Sequence, residues 1–343
     1  MSSEDVKRVA FVTGASGMLG THLVSRLVKE GFAVRALVRP SSQLDRIDQS
    51  AVELVTGDMT DGAEAFAERL DGVTHVFHCA ALVDDWAERD EMVAVNVTGL
   101  EHLLSACVDL PVERIVVVSS LSVYGLGRQE NLDETAPLVH TGDNYNYTKI
   151  LAEEVCRELV AEHKLPVVIV RPPYIYGEGD RQFFPRLCAS LRDGEFVYLQ
   201  QGEIPLELVY VGNVVEAIVR TCGVELAPGE DFIVTDGAAI DRRYLVETIC
   251  KAMGYEQPTG SVPVWVARLL CPLFEFGGRV LPGDKPPKIN KFRLKFMGTH
   301  LTFDIGKSRR LLGYSPVFDP GQALIRSIAW FAREHPEYVP GEA

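Results

Sequence analysis

The 343-residue chain predicts an α/β fold, a doubly wound parallel sheet with a smaller C-terminal domain. Short apolar runs alternate with helical patterns five times before residue 119, as in parallel strands joined by crossover helices. The fifth run, residues 115–118, is apolar throughout, as expected of a strand buried on both faces. After Gly179 the regular alternation weakens, which indicates where the second domain begins.

The composition indicates which kinds of partner and which cellular location to expect. Hydrophobic residues make up 47% of the chain and charged residues 24%, and the net charge is −14. These values are typical of a globular protein, and the acidic balance argues against a nucleic-acid partner. The seven cysteines are odd in number and include no Cys-x-x-Cys pair, and the chain opens without a signal-peptide pattern. We therefore expect a cytoplasmic protein with free thiols and no bound metal.

No apolar run reaches the length of about 18 residues that a transmembrane helix needs. The nearest candidate, residues 262–281, is interrupted by prolines, charged residues and a Gly-Gly pair. Two interpretations stay open for this stretch. It could lie as an amphipathic helix on a membrane surface, in a peripheral contact, or it could cover a core or an apolar pocket, which we favour.

The first elements are a strand, a tight turn and a helix. The apolar run of residues 9–12 ends in Gly14, Gly17 and Gly20, and leucines at helical spacing follow. These glycines permit a sharp turn, close approach of a ligand and tight packing of the helix. Free N–H groups and the dipole at the helix start favour a phosphate, so the turn predicts a dinucleotide pyrophosphate site. Its cofactor-binding candidates are Gly14, Ser16, Gly17, Met18 and Leu19.

The second strand, Ala33–Val38, ends at Arg39. An acidic residue at this strand end would bind the ribose hydroxyls of NAD, whereas an arginine without an acid suits the extra phosphate of NADP. Arg35 stands earlier on the same strand. The sequence therefore favours NADP, with NAD as the alternative, because Arg39 could also be solvated.

Strands three and four are expected at residues 52–56 and 73–79, with a helix between them. Asp58 follows strand three, where an aspartate also serves as a turn or N-cap residue. The small residues Ala80 and Ala81 follow strand four and would let a ligand lie against the strand end. His78 has no second histidine or carboxylate at ligand spacing, so we interpret it as structural.

Strand five ends in Ser119 and Ser120, and ligands of such sheets bind at the carboxyl ends of the strands. A later helix, residues 145–161, begins with Tyr145 and carries Lys149 four positions on. Tyr145 and Lys149 therefore share one face of that helix.

Serine, tyrosine and lysine in this arrangement suit proton transfer coupled to hydride transfer. A free tyrosine titrates near pH 10, and a neighbouring ammonium lowers that pKa. The tyrosine then exchanges a proton with an alcohol or carbonyl oxygen while hydride moves at the adjacent carbon, and the serine hydroxyl positions the oxygen. We predict Ser120, Tyr145 and Lys149 as the catalytic residues.

Together these motifs resemble the extended short-chain dehydrogenase/reductase superfamily, which is also described as NAD-dependent epimerases and dehydratases. The turn from Thr13 to Gly20 resembles its TGxxGxxG segment, residues 145–149 its Tyr-x-x-x-Lys pair, and residues 171–177 its R-P-x-x-x-Y-G segment. Aligning S-x-x-V-Y-G places the serine at Ser120 rather than at Ser119 or Ser122. The resemblance implies further cofactor contacts at Asp58, Met59, Ala80, Ala81, Ser119, Tyr145, Lys149, Pro172 and Ile175.

One position separates the branches of this superfamily. Nucleotide-sugar epimerases and dehydratases commonly carry asparagine where this chain has Tyr174, and the Arg-Pro-Pro segment resembles the 3β-hydroxysteroid dehydrogenase branch. An apolar pocket suits a sterol or another hydrophobic ketone or alcohol, although each apolar residue could instead belong to the core. The predicted substrate contacts are Leu82, Trp86, Tyr174 and Phe184.

The resemblance implies a dinucleotide-binding Rossmann domain over residues 1–178 and a mainly substrate-binding domain over residues 179–343, with residues 207–235 returning to the first sheet. We expect an NADP-preferring oxidoreductase that interconverts a secondary alcohol and a ketone on an apolar, steroid-like substrate. The alternatives are a nucleotide-sugar epimerase or dehydratase and a non-catalytic NADP-binding sensor. The resemblance also implies a homodimer formed through the two helices that flank the cleft.

Overall fold

The computed structural model describes residues 8–84, 87–125, 127–203, 205–263, 265–267, 269 and 300–341. Its strands are β1 (Val9–Thr13), β2 (Ala33–Val38), β3 (Val52–Thr56), β4 (His75–His78), β5 (Arg114–Val118), β6 (Arg128–Leu132), β7 (Val167–Arg171), β8 (Tyr174–Tyr176), β9 (Tyr198–Leu199), β10 (Pro205–Leu206), β11 (Leu208–Tyr210), β12 (Glu230–Ile233), β13 (Ile240–Asp241), β14 (Ser261–Val262) and β15 (His300–Phe303). Its α-helices are α1 (Met18–Lys29), α2 (Ala63–Arg69), α3 (Arg89–Val93), α4 (Gly99–Ala106), α5 (Asn144–His163), α6 (Phe183–Arg192), α7 (Val211–Arg220), α8 (Arg242–Met253), α9 (Gly306–Leu312) and α10 (Pro320–Glu334).

The central sheet confirms the predicted fold class. In the described part of the chain it has seven strands in the order β3-β2-β1-β4-β5-β7-β12, and each neighbouring pair runs parallel. The strand order reverses between β1 and β4. In sheets of this kind ligands bind at that switch point, beyond the carboxyl ends of the strands.

Helices cover both faces of the sheet, and successive residues of β1 face opposite layers. Ala10 and Val12 pack into one core cluster together with Leu23 of α1. Phe11 packs into the other, together with Leu100 of α4 and Cys156 of α5. Strands buried on both faces explain why their sequences are apolar throughout.

The second half of the chain returns to the sheet at one strand only among the described residues. Glu230–Ile233 (β12) pairs in parallel with β7, while β11 pairs with β8 in a separate two-stranded sheet. Of the strands within residues 207–235, β12 therefore lies in the main sheet, whereas β11 lies outside it and leads directly into α7, which packs on α1. The division into domains at residue 178 stays a prediction.

One strand pairing was not expected from the sequence. Residues 128–132 form β6 and pair in parallel with β15, far along the chain. The β6 sequence RQENL is largely exposed and carries little apolar pattern, so nothing local indicates a strand.

Other expectations concern thiols and membranes. The six cysteines in the described part of the chain are free. Within those same residues no helix combines the length and the apolarity needed to cross a bilayer. Most of the candidate stretch 262–281 lies outside the described residues, and a peripheral membrane contact and a cytoplasmic location stay predictions.

Candidate active site

The glycine turn between β1 and α1 is a tight backbone cradle. The Gly17 N–H donates to the Gly14 carbonyl oxygen over 3.0 Å. Gly14 has a φ of +67°, and a Cβ there would stand 2.6 Å from the amide nitrogen of Ala80. A Cβ on Gly20 would stand 2.1 Å from the Gly14 carbonyl oxygen. The turn thus requires glycine at both positions, as contacts this short do not occur between a Cβ and backbone atoms.

The start of α1 is suited to an anion. The helix begins at Met18, and its N-cap, Gly17, makes no side-chain capping bond. The first N–H groups of a helix lack partners within the helix, and the helix dipole adds partial positive charge there. The residues of the cradle therefore fit the pyrophosphate of a dinucleotide. The contacts of Ser16, Met18 and Leu19 with it stay predictions.

His78, at the end of β4, is a structural residue. Its Nδ1 lies 2.9 Å from the Thr13 hydroxyl, which also accepts from the Ala80 N–H over 3.3 Å. Burial lowers the pKa of His78 to about 3, and the nearby Lys149 adds to the shift. A neutral histidine held in this way agrees with the structural interpretation. Among the described residues, no three His, Cys, Asp or Glu side chains come together as they would around a metal ion.

Two arginines on or after β2 have different environments. Arg35 pairs with Glu53 over 2.8 Å and donates to the carbonyl oxygens of Arg69 and Asp71. These bonds engage its guanidinium within the protein. Arg39 is exposed beyond the strand end, where its backbone N–H donates to the Ser42 hydroxyl over 3.0 Å. Of the two, Arg39 is the one placed to meet a phosphate.

Asp58 and Met59 follow β3 beside the same end of the sheet. The Asp58 carboxylate accepts from the N–H and the hydroxyl of Thr60, over 3.0 and 2.8 Å. Asp58 thus has the bonds of a turn-forming aspartate, and its contact with a cofactor stays a prediction. Met59 is buried, and a Cβ on Gly99 would stand 2.3 Å from its carbonyl oxygen, so α4 packs tightly here.

The segment after β4 is fixed by Asn96. Its side chain accepts from the Leu82 N–H over 2.7 Å and donates to the Leu82 carbonyl over 3.0 Å. It also donates to the Thr148 hydroxyl on α5 over 3.2 Å. Asn96 therefore holds the half-buried segment of Ala80, Ala81 and Leu82 against α5. The predicted substrate residue Trp86 lies outside the described residues.

The structure brings Ser120, Tyr145 and Lys149 together at the end of β5. The hydroxyls of Ser120 and Tyr145 share a hydrogen bond. The Lys149 ammonium donates to the Val118 carbonyl oxygen over 2.9 Å and lies 5.8 Å from the centre of the Tyr145 ring. Asp143 caps α5 by accepting from the Asn146 N–H over 2.8 Å, which sets where the helix carrying Tyr145 begins.

Burial dominates the titration of this group. It raises the pKa of Tyr145 to about 12, an effect that the Ser120 hydrogen bond opposes and the Asp143 carboxylate reinforces. Burial also lowers the pKa of Lys149 to about 8, against the charge of Glu153. Burial therefore sets the direction of the Tyr145 shift, and Lys149 is not among its causes; a lowering of the Tyr145 pKa by the ammonium stays a prediction.

A buried ion pair behind the three residues was missed by the sequence analysis. Arg171 binds Glu153 through two nitrogens, over 2.8 and 2.7 Å, and both side chains are 1% exposed. The Ser119 hydroxyl donates to the same carboxylate over 2.6 Å. This hydroxyl is thus engaged within the protein, and a cofactor contact by other atoms of Ser119 stays a prediction. The sequence signal that could have indicated this pair is Glu153, because a residue four positions beyond Lys149 lies on the same face of the helix.

The segment after β7 carries the remaining predicted residues. The Pro172 carbonyl oxygen accepts from the Leu121 N–H over 2.9 Å. Ile175 pairs with Val209 across β8 and β11, and the half-buried Tyr174 ring packs 5.3 Å from the Phe183 ring. The cofactor contacts of Pro172 and Ile175 stay predictions.

Phe184 requires a correction. It was predicted to contact substrate, but its side chain is 0% exposed and stacks on Phe331 at 5.8 Å. A side chain that is completely buried does not line an open pocket. The neighbouring Phe183 is partly exposed beside Tyr174, because consecutive residues of α6 point in different directions.

A parallel sheet with a phosphate cradle at its switch point, and with a hydrogen-bonded Ser–Tyr pair and a lysine where α5 meets the end of β5, is typical of a dinucleotide-dependent α/β enzyme. A family model described as "NAD dependent epimerase/dehydratase family" matches residues 10–234. The chain belongs to this family.

Individual relatives extend over nearly the whole chain. A ketoreductase of 4-hydroxy-2-methyl-3-oxo-4-farnesyl-3,4-dihydroquinoline-1-oxide from Stigmatella aurantiaca is 32% identical, over 89% of this chain and 91% of the relative. A 3β-hydroxysteroid dehydrogenase/Δ5→4-isomerase from Mycobacterium tuberculosis is 30% identical, over 93% and 89%. The solved structure of gox2253 superposes with a TM-score of 0.80 at 27% identity, covering 96% of this chain and 99% of that one.

These relatives confirm two predictions. The chain is an extended short-chain dehydrogenase/reductase of the 3β-hydroxysteroid dehydrogenase-like branch. It is accordingly an NAD(P)-dependent oxidoreductase acting on CH–OH groups, with a nicotinamide cofactor.

Proposed function

We propose that the protein is an NADP(H)-preferring reductase that interconverts a ketone and a secondary alcohol on an apolar, steroid-like or prenylated substrate. The observation that carries the proposal is the hydrogen bond between the Ser120 and Tyr145 hydroxyls, beside Lys149, at the crevice edge. This pair presents two hydroxyls to one reacting oxygen.

The roles of the three residues follow from their bonds. When bound, the nicotinamide supplies or accepts the hydride. Tyr145 exchanges a proton with the substrate oxygen, Ser120 holds that oxygen, and Lys149, anchored on the Val118 carbonyl, holds the nicotinamide ribose. Because the pKa of Tyr145 is raised to about 12 in the protein alone, its hydroxyl is protonated at neutral pH. A protonated tyrosine suits ketone reduction, in which the new hydroxyl needs a proton.

The substrate class rests on the pocket and on the relatives. Leu82 follows β4 and Tyr174 follows β7, at the carboxyl ends of the strands, and both are partly exposed, as is Phe183 beside Tyr174. The Stigmatella relative reduces a farnesylated ketone and the Mycobacterium relative acts on a steroid, as their names state. Tyr174 packs on an aromatic ring, where the rival nucleotide-sugar enzymes commonly place an amide. The preference for NADP rests on the exposed Arg39.

The test measures oxidation of NADPH and NADH with a panel of 3-ketosteroids, prenylated ketones and short polar ketones. Tyr145→Phe is expected to lower kcat about 10²- to 10⁴-fold while the cofactor Kd stays within about twofold, because no cofactor contact of the cradle changes. The matched control is Tyr147→Phe. Tyr147 lies two residues away, with its ring 4.8 Å from the Arg89 guanidinium, and we expect this variant to stay active.

Other results would point to the rivals. Full activity of Tyr145→Phe would overturn the assignment of the acid. Purified protein that carries tightly bound NAD and converts nucleotide sugars would support an epimerase or dehydratase. Cofactor binding without hydride transfer to any ketone or alcohol would support a sensor.

A further inference from the structure

The end of β5 docks onto α5 through three successive contacts. Three consecutive residues of the strand end each bond one residue of the helix, and the three helix residues are spaced four apart, on one face. The bond from the Ser119 hydroxyl to a Glu153 carboxylate oxygen is 2.6 Å long. The pairs are Val118 with Lys149, Ser119 with Glu153, and Ser120 with Tyr145.

Glu153 is the most strongly held member of this face. Arg171, at the end of β7, binds both of its carboxylate oxygens. The same guanidinium donates to the Tyr124 hydroxyl over 2.6 Å and to Asp231 on β12 over 2.7 Å. Tyr124 ends the short helical turn that Ser120 begins. This ion pair therefore joins α5 to β7, to β12 and, through Ser119, to the end of β5. It also joins α5 to the turn that presents the predicted catalytic serine.

We propose that Glu153 is a positioning residue for the reaction proposed above: clamped by Arg171, it fixes the placement of α5 against the end of β5, and so the distances among Ser120, Tyr145 and Lys149. A buried Arg–carboxylate pair with two hydrogen bonds has a specific geometry. It therefore fixes the position of a helix on a sheet more precisely than apolar contacts alone. Reaction rates depend steeply on such distances, with a misplacement of about 1 Å costing about 10²-fold.

The charge of Glu153 acts on Lys149 as well. The groups around Lys149 are the Tyr145 ring, His78 at the end of β4 with the following Cys79, and Glu153 and Cys156 on its own helix. Burial lowers the pKa of Lys149 to about 8, and the Glu153 carboxylate opposes this effect. Burial alone would raise the pKa of Glu153, but its bonds with Arg171 outweigh this and hold the pKa below its usual range. Glu153 is therefore ionised at neutral pH and helps keep Lys149 protonated.

The test compares Glu153→Gln, which keeps the size and removes the charge, with Glu153→Asp, which keeps the charge and shortens the reach. Glu154→Gln is the matched control, since Glu154 is the adjacent, exposed residue of the same helix. The readouts are kcat and KM against pH, and the Kd of the reduced cofactor against pH from nucleotide fluorescence. Ser119→Ala, which leaves the Arg171–Glu153 pair intact, serves if Glu153→Gln does not fold.

Glu153→Gln is expected to lower kcat by about 10- to 100-fold and to move the alkaline fall of kcat/KM and of cofactor affinity to lower pH. The sign follows from Lys149, whose pKa drops further when the neighbouring negative charge is removed. Glu153→Asp should lower kcat while keeping the alkaline fall in place. Ser119→Ala should lower kcat by a smaller factor, also without moving it.

The proposal fails if Glu153→Gln, or Ser119→Ala where the former does not fold, matches Glu154→Gln in both kcat and pH profile. Should the wild type reduce no ketone, the proposed function fails, and the pH profile of cofactor affinity still decides the role of Glu153. An unshifted profile in Glu153→Gln would then overturn it, and a shifted one would support it.

Discussion

The two ends of the cleft are built from different atoms. At the cofactor turn, Gly14, Gly17 and Gly20 shape a cradle in which backbone atoms make the contacts. At the chemical centre, side chains meet from segments far apart in the chain: Glu153 and Arg171 are 18 residues apart, and Arg171 and Asp231 are 60 apart. At the turn, a Cβ on Gly14 or Gly20 would clash with backbone atoms. At the chemical centre, the structure depends on the paired charges of Arg171 and Glu153.

This difference determines what a substitution does at each end. Adding a methyl group to the turn displaces backbone that a cofactor must reach, so binding suffers first. Removing Arg171 leaves the buried Glu153 carboxylate with the partly exposed Arg157, 2.7 Å away, as its remaining cationic partner, so the first quantity to fall is stability.

The largest effect is expected for Arg171→Met. The variant leaves Glu153, which is 1% exposed, without its main partner, and breaking a buried pair costs about 3–5 kcal/mol. Denaturant unfolding should show this loss at neutral pH. The matched control is Arg192→Met, because Arg192 pairs with Asp193 at the surface and its removal should change the unfolding midpoint little. Equal effects of the two variants would contradict the buried pair as a source of stability.

Gly20→Ala should weaken cofactor binding by at least about 100-fold, a loss of about 3 kcal/mol. Alanine favours a helix over glycine by about 1 kcal/mol, but a Cβ 2.1 Å from the Gly14 carbonyl oxygen forces the turn to move. Fluorescence titration with reduced cofactor measures the loss. Gly62→Ala is the control, because the nearest atom to its Cβ is a Glu64 carboxylate oxygen at 3.6 Å, and it should bind cofactor normally.

Local signals account for what the sequence predicted correctly. Ala33–Val38 and Val52–Thr56 were expected as strands with the boundaries that the structure has, because apolar runs flanked by turn residues carry that information locally. Residues 128–132 were missed as a strand for two reasons. Their partner β15 lies far along the chain, and their mostly exposed, polar side chains show no alternation of apolar and polar residues.

The same distinction applies to the site. Tyr145 and Lys149 could be placed together because their spacing puts them on one face of a helix, and Ser120 was assigned from the resemblance of its segment to S-x-x-V-Y-G. The bonds of Glu153 with Arg171 depend on how β5, β7 and α5 meet, which no local pattern reports. Phe184 was misplaced for a related reason: its apolar side chain suits either a pocket or a core, and only packing on Phe331 distinguishes them.

His78 lies where the two ends meet, because it bonds Thr13 before the turn and responds to the charge of Lys149. Its folded-state pKa of about 3 lies below the ordinary 6.5, so the unfolded chain binds the extra proton as the pH falls below 6.5. From pH 6.5 to pH 5 this linkage should remove about 1.5 kcal/mol of stability. His78→Gln should lose that contribution, so its unfolding free energy should fall less over this interval in denaturant titrations. Parallel pH slopes for wild type and variant would exclude a buried neutral histidine.

The smallest effect is expected at Arg39, and it tests the limit of the backbone cradle. Backbone N–H groups of the turn are suited to the pyrophosphate that NADP and NAD share, so we expect them not to distinguish the two cofactors. Discrimination therefore requires a side chain, and Arg39 is the exposed cation at the end of β2, whereas Arg35 is engaged by Glu53. Arg39→Ala should raise the Kd for NADPH by about tenfold and leave the Kd for NADH unchanged, as measured by fluorescence titration. Equal losses for the two cofactors would assign Arg39 to general attraction of anions, and the preference for NADP would then need another residue.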